Sequence, residues 1–474
     1  MSCQRLIALL LVPLASLLAA DAPRPNIILI LADDLGYGSL GCYGHEKVRT
    51  PHIDRLAASG ARLTDFHSNG AMCTPTRAAL MTGRYQQRCA WVPDEELTPL
   101  SREQRRLNPK QRWAWGVSAH EVMLPAVLGR AGYRTALIGK WHLGYDPKFH
   151  PMNHGFDEFR GFVGGNVDYH THVAGYGDKT LDWWRDRQKQ DEPGYATDLL
   201  TRHATDFIRQ NKAGPFFLYL AHGAPHEPWQ GRDPAKKRSA AVTYQEMIET
   251  LDESVGAVLS ALHEHGLEKK TLVIFCSDNG PDAPTGFRAN GTLQGKKGSM
   301  FEGGHRVPCV ASWPGVIPGG LKHDATAMTM DFLPTFAKLA GATLPAGYLS
   351  DGVDLLPSRD GEVFVPGEIP DGFYLCGDEK NPQLAFQTAV NAAVAEVTHI
   401  APSDAKGEII GTKVVAPGVI LYDYKALGLC AGMTDARFTT TTEVYPDSPR
   451  TTPRICNAAQ VAAVRAAIDY VLSA

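Results

Sequence analysis

Four continuous apolar runs, each followed at once by polar residues, constrain most strongly how this chain can fold. They lie at residues 25–32, 133–138, 216–221 and 272–276. Runs of this length and composition predict strands that are buried on both faces of a sheet. Helical patterns lie between them, at 51–60, 74–84, 124–131, 196–211 and 241–265. Strands that alternate with helices predict an α/β fold with a large, mostly parallel central sheet flanked by helices.

The polar residues that follow these strands are of types that bind metal ions. In parallel sheets, ligands collect at the carboxyl ends of the strands. Asp33 and Asp34 follow the first run, and Asp278 and Asn279 follow the fourth. Three carboxylates and one amide oxygen favour a hard cation, Ca²⁺ first and Mg²⁺ as the alternative, and they disfavour zinc. Each pair alone is more typical of a turn, but both pairs after buried strands favour a metal site.

The segment from Cys73 to Arg84 predicts a helix that begins beside a reactive side chain. Thr74 or Cys73 can cap this helix, and Pro75 is tolerated in its first turn. Arg77 lies four residues after Cys73 and should share its helix face. A helix N-terminus with an added cation favours a bound anion. The alternative is that Cys73 is an ordinary buried side chain or half of a disulfide.

The same segment resembles the signature of the formylglycine-dependent sulfatases, a family of the alkaline phosphatase-like superfamily. That signature reads C-x-P-S/T-R followed by x-x-L-x-T-G-R. Its fixed positions are matched here by Cys73, Pro75, Arg77, Leu80, Thr82, Gly83 and Arg84. Thr76 stands where Ser is commoner, and it keeps the hydroxyl. The resemblance implies that a formylglycine-generating enzyme oxidises Cys73 to formylglycine, an aldehyde whose hydrate attacks the sulfur of a sulfate ester.

Three further motifs of that family follow in the family's order. The matched patterns are G-K-W-H-x-G, A-P-H-x-P and G-K-G-x-x-x-E-G-G-x-R-V-P, and they contribute Lys140, His142, His226 and Lys297. Alignment on the Glu-Gly-Gly of the last motif leaves Lys296 outside the site. An isolated lysine and histidine would more often be a surface lysine and a packed histidine, but the motif context reverses that interpretation.

The resemblance also implies a role for each of these residues. The calcium ligands are Asp33, Asp34, Asp278, Asn279 and the formylglycine oxygen at position 73. The sulfate oxygens are neutralised by the metal and by Arg77, Lys140 and Lys297. His226, alone or with Lys297, donates a proton to the leaving oxygen, and His142 accepts the proton whose loss releases sulfate.

The resemblance covers about residues 25–356 and is closest in style to secreted bacterial aryl and carbohydrate sulfatases of the galactosamine-6-sulfatase type. The predicted activity is hydrolysis of the sulfate ester of a saccharide or an aryl alcohol. Two alternatives remain open. One is a formylglycine-dependent phosphodiesterase or phosphonate hydrolase, which would share the nucleophile and the metal. The other is a catalytically incompetent protein that binds sulfated glycans.

Three regions are predicted along the chain. Residues 1–20 read as a signal peptide, which predicts a secreted or periplasmic protein. A catalytic domain is expected over 21–357 and a divergent C-terminal subdomain over 358–474. The tail keeps little of the family's closing motifs beyond residues 421–424. A divergent subdomain, an unrelated module and a frameshifted end are therefore all open interpretations of it.

The net charge and the cysteine content limit which binding partners and which disulfides we expect. The net charge of −4 and the absence of a nucleic-acid motif argue against binding to nucleic acid. No second apolar run long enough to span a bilayer is evident, so stable membrane insertion is not expected. The chain has nine cysteines. Setting aside Cys3 and Cys73 leaves an odd number, so at least one is free, and Cys276 is predicted to be a buried thiol.

Overall fold

A computed structural model of the chain describes residues 24–92, 116–175, 179–355, 371–423, 438, 440–443 and 453–473. The predicted signal peptide lies outside these residues. The chain forms two compact units, residues 1–356 and 357–474.

The first unit contains most of the predicted strands and helices. Its strands are β1 (Asn26–Ala32), β2 (Ala61–Leu63), β3 (Phe66–His67), β4 (Trp91–Val92), β5 (Gly116–Val117), β6 (Arg134–Lys140), β7 (Glu158–Phe162), β8 (Trp184–Arg185), β9 (Gln188–Lys189), β10 (Phe216–Ala221), β11 (Thr271–Ser277), β12 (Cys309–Ser312), β13 (Leu321–His323) and β14 (Ala327–Met328). Its helices are α1 (Pro51–Ala58), α2 (Cys73–Thr82), α3 (Leu124–Arg130), α4 (Ala196–Asn211), α5 (Ala240–Glu264), α6 (Glu302–His305) and α7 (Phe332–Ala340).

A ten-stranded sheet runs through this unit in the order β13-β2-β12-β11-β1-β10-β6-β7-β8-β9. Its centre, from β11 to β7, is parallel throughout. Antiparallel pairings bring in β12 and β2 on one side and β8 and β9 on the other. The predicted α/β sheet flanked by helices is confirmed, and the antiparallel edges make the whole sheet mixed.

Both faces of the central sheet are buried, as the continuous apolar runs predicted. Ile28 and Ile30 of β1 pack on one face with the apolar sides of α1, α4 and α5. Ile27 and Leu29 point to the opposite face, where α2, α3 and α7 cover them. Because successive strand residues point to opposite faces, a strand covered by helices on both sides has no polar position along its length.

The active-site segment differs from the sequence prediction at both ends. The predicted helix over 74–84 begins one residue earlier, at Cys73, and ends at Thr82. Neither Cys73 nor Thr74 caps it, because Met72 holds the N-cap position and no side chain accepts a capping hydrogen bond. Gly83 ends the helix with φ 63°, a left-handed conformation that favours glycine. The thiol of Cys73 is consequently inside the first helical turn.

The second unit is built from a smaller sheet and two helices. The strands are β15 (Tyr374–Asp378), β16 (Glu408–Ile409), β17 (Thr412–Ala416), β18 (Val419–Tyr422) and β19 (Thr441–Glu443), in the order β16-β17-β18-β15-β19. The helices are α8 (Leu384–Ala395) and α9 (Pro453–Ser473). Leu375, Val390 and Ala459 share its core. The tail sequence predicts a final helix over about 457–473, and α9 confirms it with a start four residues earlier.

By length and composition alone, Ile455–Ser473 is apolar enough to cross a membrane. Ala459 and Ala463 of this helix are buried in the core of the second unit, and 17% of the apolar stretch is buried in all. Among the described residues, Cys42, Cys73, Cys89, Cys276, Cys309 and Cys456 form no disulfide. The prediction of a buried thiol at Cys276 is confirmed.

Candidate active site

The ten residues named from sequence motifs lie in one buried cluster of the first unit. Most follow the carboxyl ends of the parallel strands: Asp33 and Asp34 after β1, Lys140 and His142 at and after β6, His226 after β10, and Asp278 and Asn279 after β11. Cys73 and Arg77 come from the first turns of α2, and Lys297 from the loop before α6. Parallel strands end at one edge of a sheet, which explains why segments so distant in sequence meet.

The acidic part of the cluster has no contact with solvent. Asp33, Asp34, Asp278 and Asn279 are each 0% exposed. The backbone N–H of Asp34 donates to Asp278 Oδ1 at 3.3 Å, and Asn279 Nδ2 donates to Asp34 Oδ1 at 2.7 Å. Asn279 Oδ1 is buried and has no hydrogen-bond partner in the described part of the chain. An amide oxygen in that position is suited to a cation.

Cys73 lies directly against these carboxylates. Its Sγ is 3.3 Å from Asp33 Oδ1 and 4.0 Å from Asp34 Oδ1. Burial raises the pKa of the Cys73 thiol well above its usual range, and the negative charge on Asp33 raises it further. The thiol is therefore protonated at neutral pH, and an unmodified Cys73 would be a poor nucleophile.

Three cations offset the three buried carboxylates. Arg77 donates to Asp278 Oδ2 through Nε at 3.1 Å and Nη2 at 2.8 Å, and its Nη1 donates to the carbonyl of Lys140. Lys140 Nζ forms an ion pair with Asp33 Oδ2. Lys297 Nζ donates to Asp34 Oδ2 at 2.8 Å, whereas Lys296 is mostly exposed and lies 3.8 Å from Asp282. The structure thus brings Lys297 into the cluster and leaves Lys296 outside it.

Burial and neighbouring charges shift the pKa values of the three carboxyl groups in different directions. Burial alone would raise the pKa of Asp33, but Lys140, His226, Arg77 and Lys297 outweigh it and hold that pKa well below the usual range. Burial raises the pKa of Asp34 to about 6, and the charge on Asp33 acts in the same direction. The pKa of Asp278 is raised to about 6 for the same two reasons. Extra positive charge in the cluster would favour ionisation of both.

Both histidines lie beside this charge, His226 buried and His142 half-buried. Burial lowers the pKa of His142 well below its usual range, and Lys140 and Arg77 lower it further. Burial also lowers the pKa of His226, where Asp33 opposes the shift and Lys140 and Lys297 add to it. His226 Nδ1 donates to the carbonyl of Glu227 at 2.6 Å, so Nε2 faces Asp34 Oδ2, 3.6 Å away. The pKa values of His142 and His226 are therefore both shifted downward.

Two of the site residues have left-handed backbones. Asp34 has φ 64° and His142 has φ 59°. Such values are uncommon for residues other than glycine and occur where the surroundings enforce them. The hydroxyl of Tyr244 on α5 donates to the carbonyl of Asp34 at 2.9 Å, and Thr74 Oγ1 donates to the carbonyl of His142 at 3.3 Å.

Sequence reasoning did not identify two residues that hold the site in place. Tyr244 lies within a long amphipathic helix, where no local motif marks it. Thr76 was noted only as a departure from the commoner Ser. Its hydroxyl donates to the carbonyl of Gly70 and accepts from the N–H of Gly70, which closes the loop before Cys73. Either hydroxyl residue can do this, so the requirement at position 76 is for a hydroxyl.

The segment that contains Gly165 and Asn166 also lies beside the site. Gly165 packs so closely on the ring of His142 that a Cβ there would lie 2.9 Å from Nε2. Asn166 Nδ2 donates to the carbonyl of Glu227 at 2.9 Å. The polar side chain of this segment therefore supports the His226 loop.

The cluster includes a set of ligand atoms of a size suited to an ion. Single ligand atoms of Asp33, Asp34, Cys73 and His226 all lie within 4.8 Å of one another. Asp278 and Asn279 adjoin this set through their contacts with Asp34. The donors are mainly oxygens, which fits the hard cation predicted from the sequence.

Comparisons with known proteins agree on one family. Residues 25–342 match the family model described as Sulfatase. The chain is 37% identical over 391 residues to N-acetylgalactosamine-6-sulfatase of Canis lupus familiaris, which covers 78% of this chain and 72% of that protein. It is 38% identical over 376 residues to human arylsulfatase A, covering 73% and 70%. The crystal structure of Ps i-CgsB in complex with k-i-k-neocarrahexaose is similar, with a TM-score of 0.62, 35% identity, and coverage of 70% of this chain and 76% of that one.

Proposed function

The chain belongs to the sulfatase family, and from this premise we propose that it hydrolyses the sulfate ester of a saccharide with formylglycine at position 73 and a bound calcium ion. The observation that carries the proposal is the position of Cys73. Its Sγ occupies the point where the buried carboxylates and the cations of the cluster converge.

Position 73 is where the nucleophile is expected. The Sγ atom stands in for an oxygen of hydrated formylglycine, which would supply a nucleophile that a buried, protonated thiol does not. Asp33 accepts the hydrogen bond from this position, so its carboxylate is placed to orient the attacking group. The low pKa of Asp33 keeps that carboxylate ionised at all pH values of interest.

A calcium ion fits the residues around position 73. Asp33, Asp34, Asp278 and the unpartnered Oδ1 of Asn279 would hold it, with the oxygen at position 73. The ion would supply positive charge that lowers the pKa of the nucleophile and polarises the sulfate. We expect His226 to remain outside the ligand set, because a hard cation prefers the available oxygens.

Arg77, Lys140 and Lys297 are placed to bind the sulfate group. All three reach the cluster from different directions and are already oriented by carboxylates, so little reorganisation is needed when charge shifts during the reaction. Burial would lower the pKa of Lys297, but the group at position 73 and the carboxylates of Asp34 and Asp33 outweigh this and raise it. Lys297 therefore stays charged throughout the neutral range.

The two histidines are the candidates for proton transfer. His226 has one ring nitrogen fixed by the Glu227 carbonyl and the other facing the cluster, so its Nε2 would donate a proton to the leaving oxygen when the ring is in the imidazolium form. His142 is neutral in its half-buried position, and its Nδ1 has no hydrogen-bond partner among the residues described. A neutral imidazole is the form that accepts a proton, which suits the step that releases sulfate.

One cavity of the first unit is lined in part by Glu227, the residue that follows His226. It has a volume of about 500 Å³ and is lined in part by Asn166, Asp168, Lys179 and Glu227. Polar and charged side chains in such a cavity are suited to the hydroxyls of a sugar. The related structure that holds neocarrahexaose supports a saccharide as the substrate class.

The first test is the mass of the peptide that carries Cys73, taken from the native protein. Formylglycine would lower this mass by about 18 Da, because a carbonyl oxygen replaces the thiol. The matched assay compares wild type with Cys73→Ala on an aryl sulfate, an aryl phosphate and a sulfated saccharide. Conversion together with sulfate release that Cys73→Ala lacks is expected. An unconverted cysteine, or turnover of the phosphate alone, would refute the proposal.

Chelation tests the cation separately. Dialysis against a calcium chelator should abolish sulfate release, and Ca²⁺ should restore it. Asp34→Asn, which removes one ligand charge, should need more Ca²⁺ for half-maximal activity. Full activity after exhaustive chelation would contradict the calcium part of the proposal and leave the role of position 73 standing.

A further inference from the structure

A second group of metal-ligand side chains lies outside the ten residues of the candidate active site. His67, Glu302 and His305 each offer one ligand atom, and these atoms lie within 4.8 Å of one another. From their geometry we propose that they form a binding site for a borderline divalent ion such as Zn²⁺, separate from the calcium site.

Local structure accounts for the meeting of the three side chains. Glu302 and His305 are three residues apart on α6, a spacing that places both on one helix face and that recurs in metal sites built on helices. His67 ends β3 and faces α6 through an isolated bridge to Arg306. The N–H of Ser68 donates to the carbonyl of His305 at 2.8 Å, which fixes the two segments together.

The two imidazoles point their Nδ1 atoms at each other. These atoms are 3.1 Å apart. Two nitrogens bound to one tetrahedral zinc, each at about 2.0–2.1 Å, lie about 3.3 Å apart. The observed separation therefore needs only a small adjustment for both lone pairs to meet on one ion. The competing interpretation is a hydrogen bond between two neutral imidazoles.

A carboxylate sets the tautomer of His67. Its Nε2 lies 3.2 Å from Asp65 Oδ1, so Nε2 carries the hydrogen and the lone pair is on Nδ1, toward His305. Asp65 is held in turn by Thr326 and Arg306. A histidine oriented by a carboxylate through its other nitrogen is the usual arrangement around protein-bound zinc.

Glu302 supplies the third ligand and access from solvent. Arg306 Nη1 donates to its Oε2 at 3.0 Å, and the contacts described for Glu302 leave Oε1 for an ion. The side chain of Glu302 is 46% exposed, whereas that of His67 is 12% exposed. Two imidazoles and one carboxylate with an open side match the donors that zinc takes when water completes its coordination.

The two sites differ in donor type, so they should select different ions. The cluster at Asp33 and Asp34 offers mainly oxygens and favours Ca²⁺, whereas two imidazole nitrogens favour Zn²⁺, Co²⁺ or Ni²⁺. The ion would join the segment that leads to Cys73 with the loop that carries Lys297. Those segments already meet where the N–H of Gly298 donates to the carbonyl of Ala71 at 2.7 Å.

Zinc binding to the full-length protein, kept saturated with Ca²⁺, tests the proposal. Wild type should bind one Zn²⁺ per chain, measured by equilibrium dialysis and metal analysis. His67→Gln and His305→Gln should each weaken this binding at least 100-fold, and Asp65→Asn about 10- to 100-fold. The control His263→Gln, an exposed histidine paired with Glu268, should bind zinc as wild type does.

The variant Asp34→Asn tests whether zinc binds instead at the catalytic cluster, which also contains a cysteine and a histidine. This variant should still bind one Zn²⁺ per chain. Zinc binding that Asp34→Asn abolishes and the His67 and His305 variants retain would overturn the proposal, as would no binding by wild type.

A second measurement uses only the wild-type protein, and it tests the site even if the histidine variants fail to fold. Zn²⁺ should protect His67 and His305 of the wild-type protein from acylation by diethyl pyrocarbonate and leave His263 reactive. Unchanged reactivity of His67 and His305 with zinc would equally overturn the site.

Discussion

The two units of this chain differ in the kinds of side chain that they bury. The first unit buries carboxylates, an arginine and a lysine completely at the end of its central sheet, with Asp33, Asp278 and Lys140 at 0% exposure. The second unit has an apolar core, to which residues such as Leu375 and Val390 contribute. Its buried polar side chains include neutral amides, such as Asn391, which donates to the carbonyl of Pro417.

The apolar side chains in the second unit stabilise its fold. The buried ion pairs in the first unit add little stability and so need another explanation. Burying ion pairs costs desolvation that their attraction only partly offsets, and apolar replacements are often as stable. Stability therefore does not explain the charged cluster of the first unit, whereas the proposed chemistry at position 73 would. The core of the second unit needs no such explanation, because each apolar side chain removed from water stabilises it directly.

Removing the central cation of the cluster should have the largest effect. Arg77→Met leaves Asp278 buried without its partner, so we expect a loss of about 3–5 kcal/mol in the unfolding free energy of the first unit. Sulfate release should fall at least about 100-fold, because a charge that binds the reacting group is lost. Chemical denaturation and initial rates measure the two effects.

Arg232→Met is the matched control for Arg77→Met. Arg232 pairs with Asp198 and Glu253, but it is 44% exposed, so its loss should cost about 0–1 kcal/mol. If both variants lose similar stability, the contrast between a buried functional cluster and ordinary surface pairs is wrong.

In the second unit, the test is a pure packing change. Leu375 is fully buried in β15, and Leu375→Ala should destabilise that unit by about 2–5 kcal/mol through lost transfer energy and a cavity. The rate of sulfate release should stay unchanged, because the ten site residues belong to the first unit. Leu384→Ala, at a leucine that is 39% exposed, should cost less than about 0.5 kcal/mol. An equal loss of activity and stability in Leu375→Ala would remove the distinction between the units.

Adjacent lysines sharpen the comparison within the first unit. Lys297→Ala removes the donor to Asp34 and should lower kcat/KM by about 100- to 1,000-fold, or about 2.7–4 kcal/mol. Lys296→Ala changes an exposed neighbour and should leave kcat/KM within about twofold, since surface pairs contribute little. Steady-state rates of the two variants on an aryl sulfate measure this difference. The reverse order would mean that the motif is aligned one residue out of register.

The sheet and the positions of the site residues could be predicted because both follow from short sequence patterns. A strand covered on both faces must be continuously apolar, so β1 and β10 were visible as runs. Polar residues that follow such strands meet at one edge, so Asp33 and Asp278 could be paired across 245 positions. The order of the strands and the antiparallel pairings could not be read, because short outer strands such as β2 and β8 carry no distinctive pattern.

Other features depend on contacts that no local pattern encodes. The start of α2 at Cys73 was missed because Met72, a residue with no capping side chain, holds the N-cap. The downward pKa shifts of His142 and His226 follow from burial, which spacing alone does not reveal. In the second unit only the last helix was predicted, because short strands with alternating exposure, such as β17, resemble loops.

The smallest expected effect concerns a tyrosine that the sequence did not mark. Tyr244→Phe removes the hydrogen bond to the carbonyl of Asp34 and should cost about 0.5–1.5 kcal/mol of stability. Tyr195→Phe removes an equivalent bond to the carbonyl of Gln230, at 2.8 Å, and should cost about the same. Only Tyr244→Phe should also lower kcat/KM, by up to about 10-fold, because it releases the left-handed backbone that aims the Asp34 carboxylate. Equal rates in the two variants would show that the backbone of Asp34 is held by the rest of the fold, and that the tyrosine only stabilises the first unit.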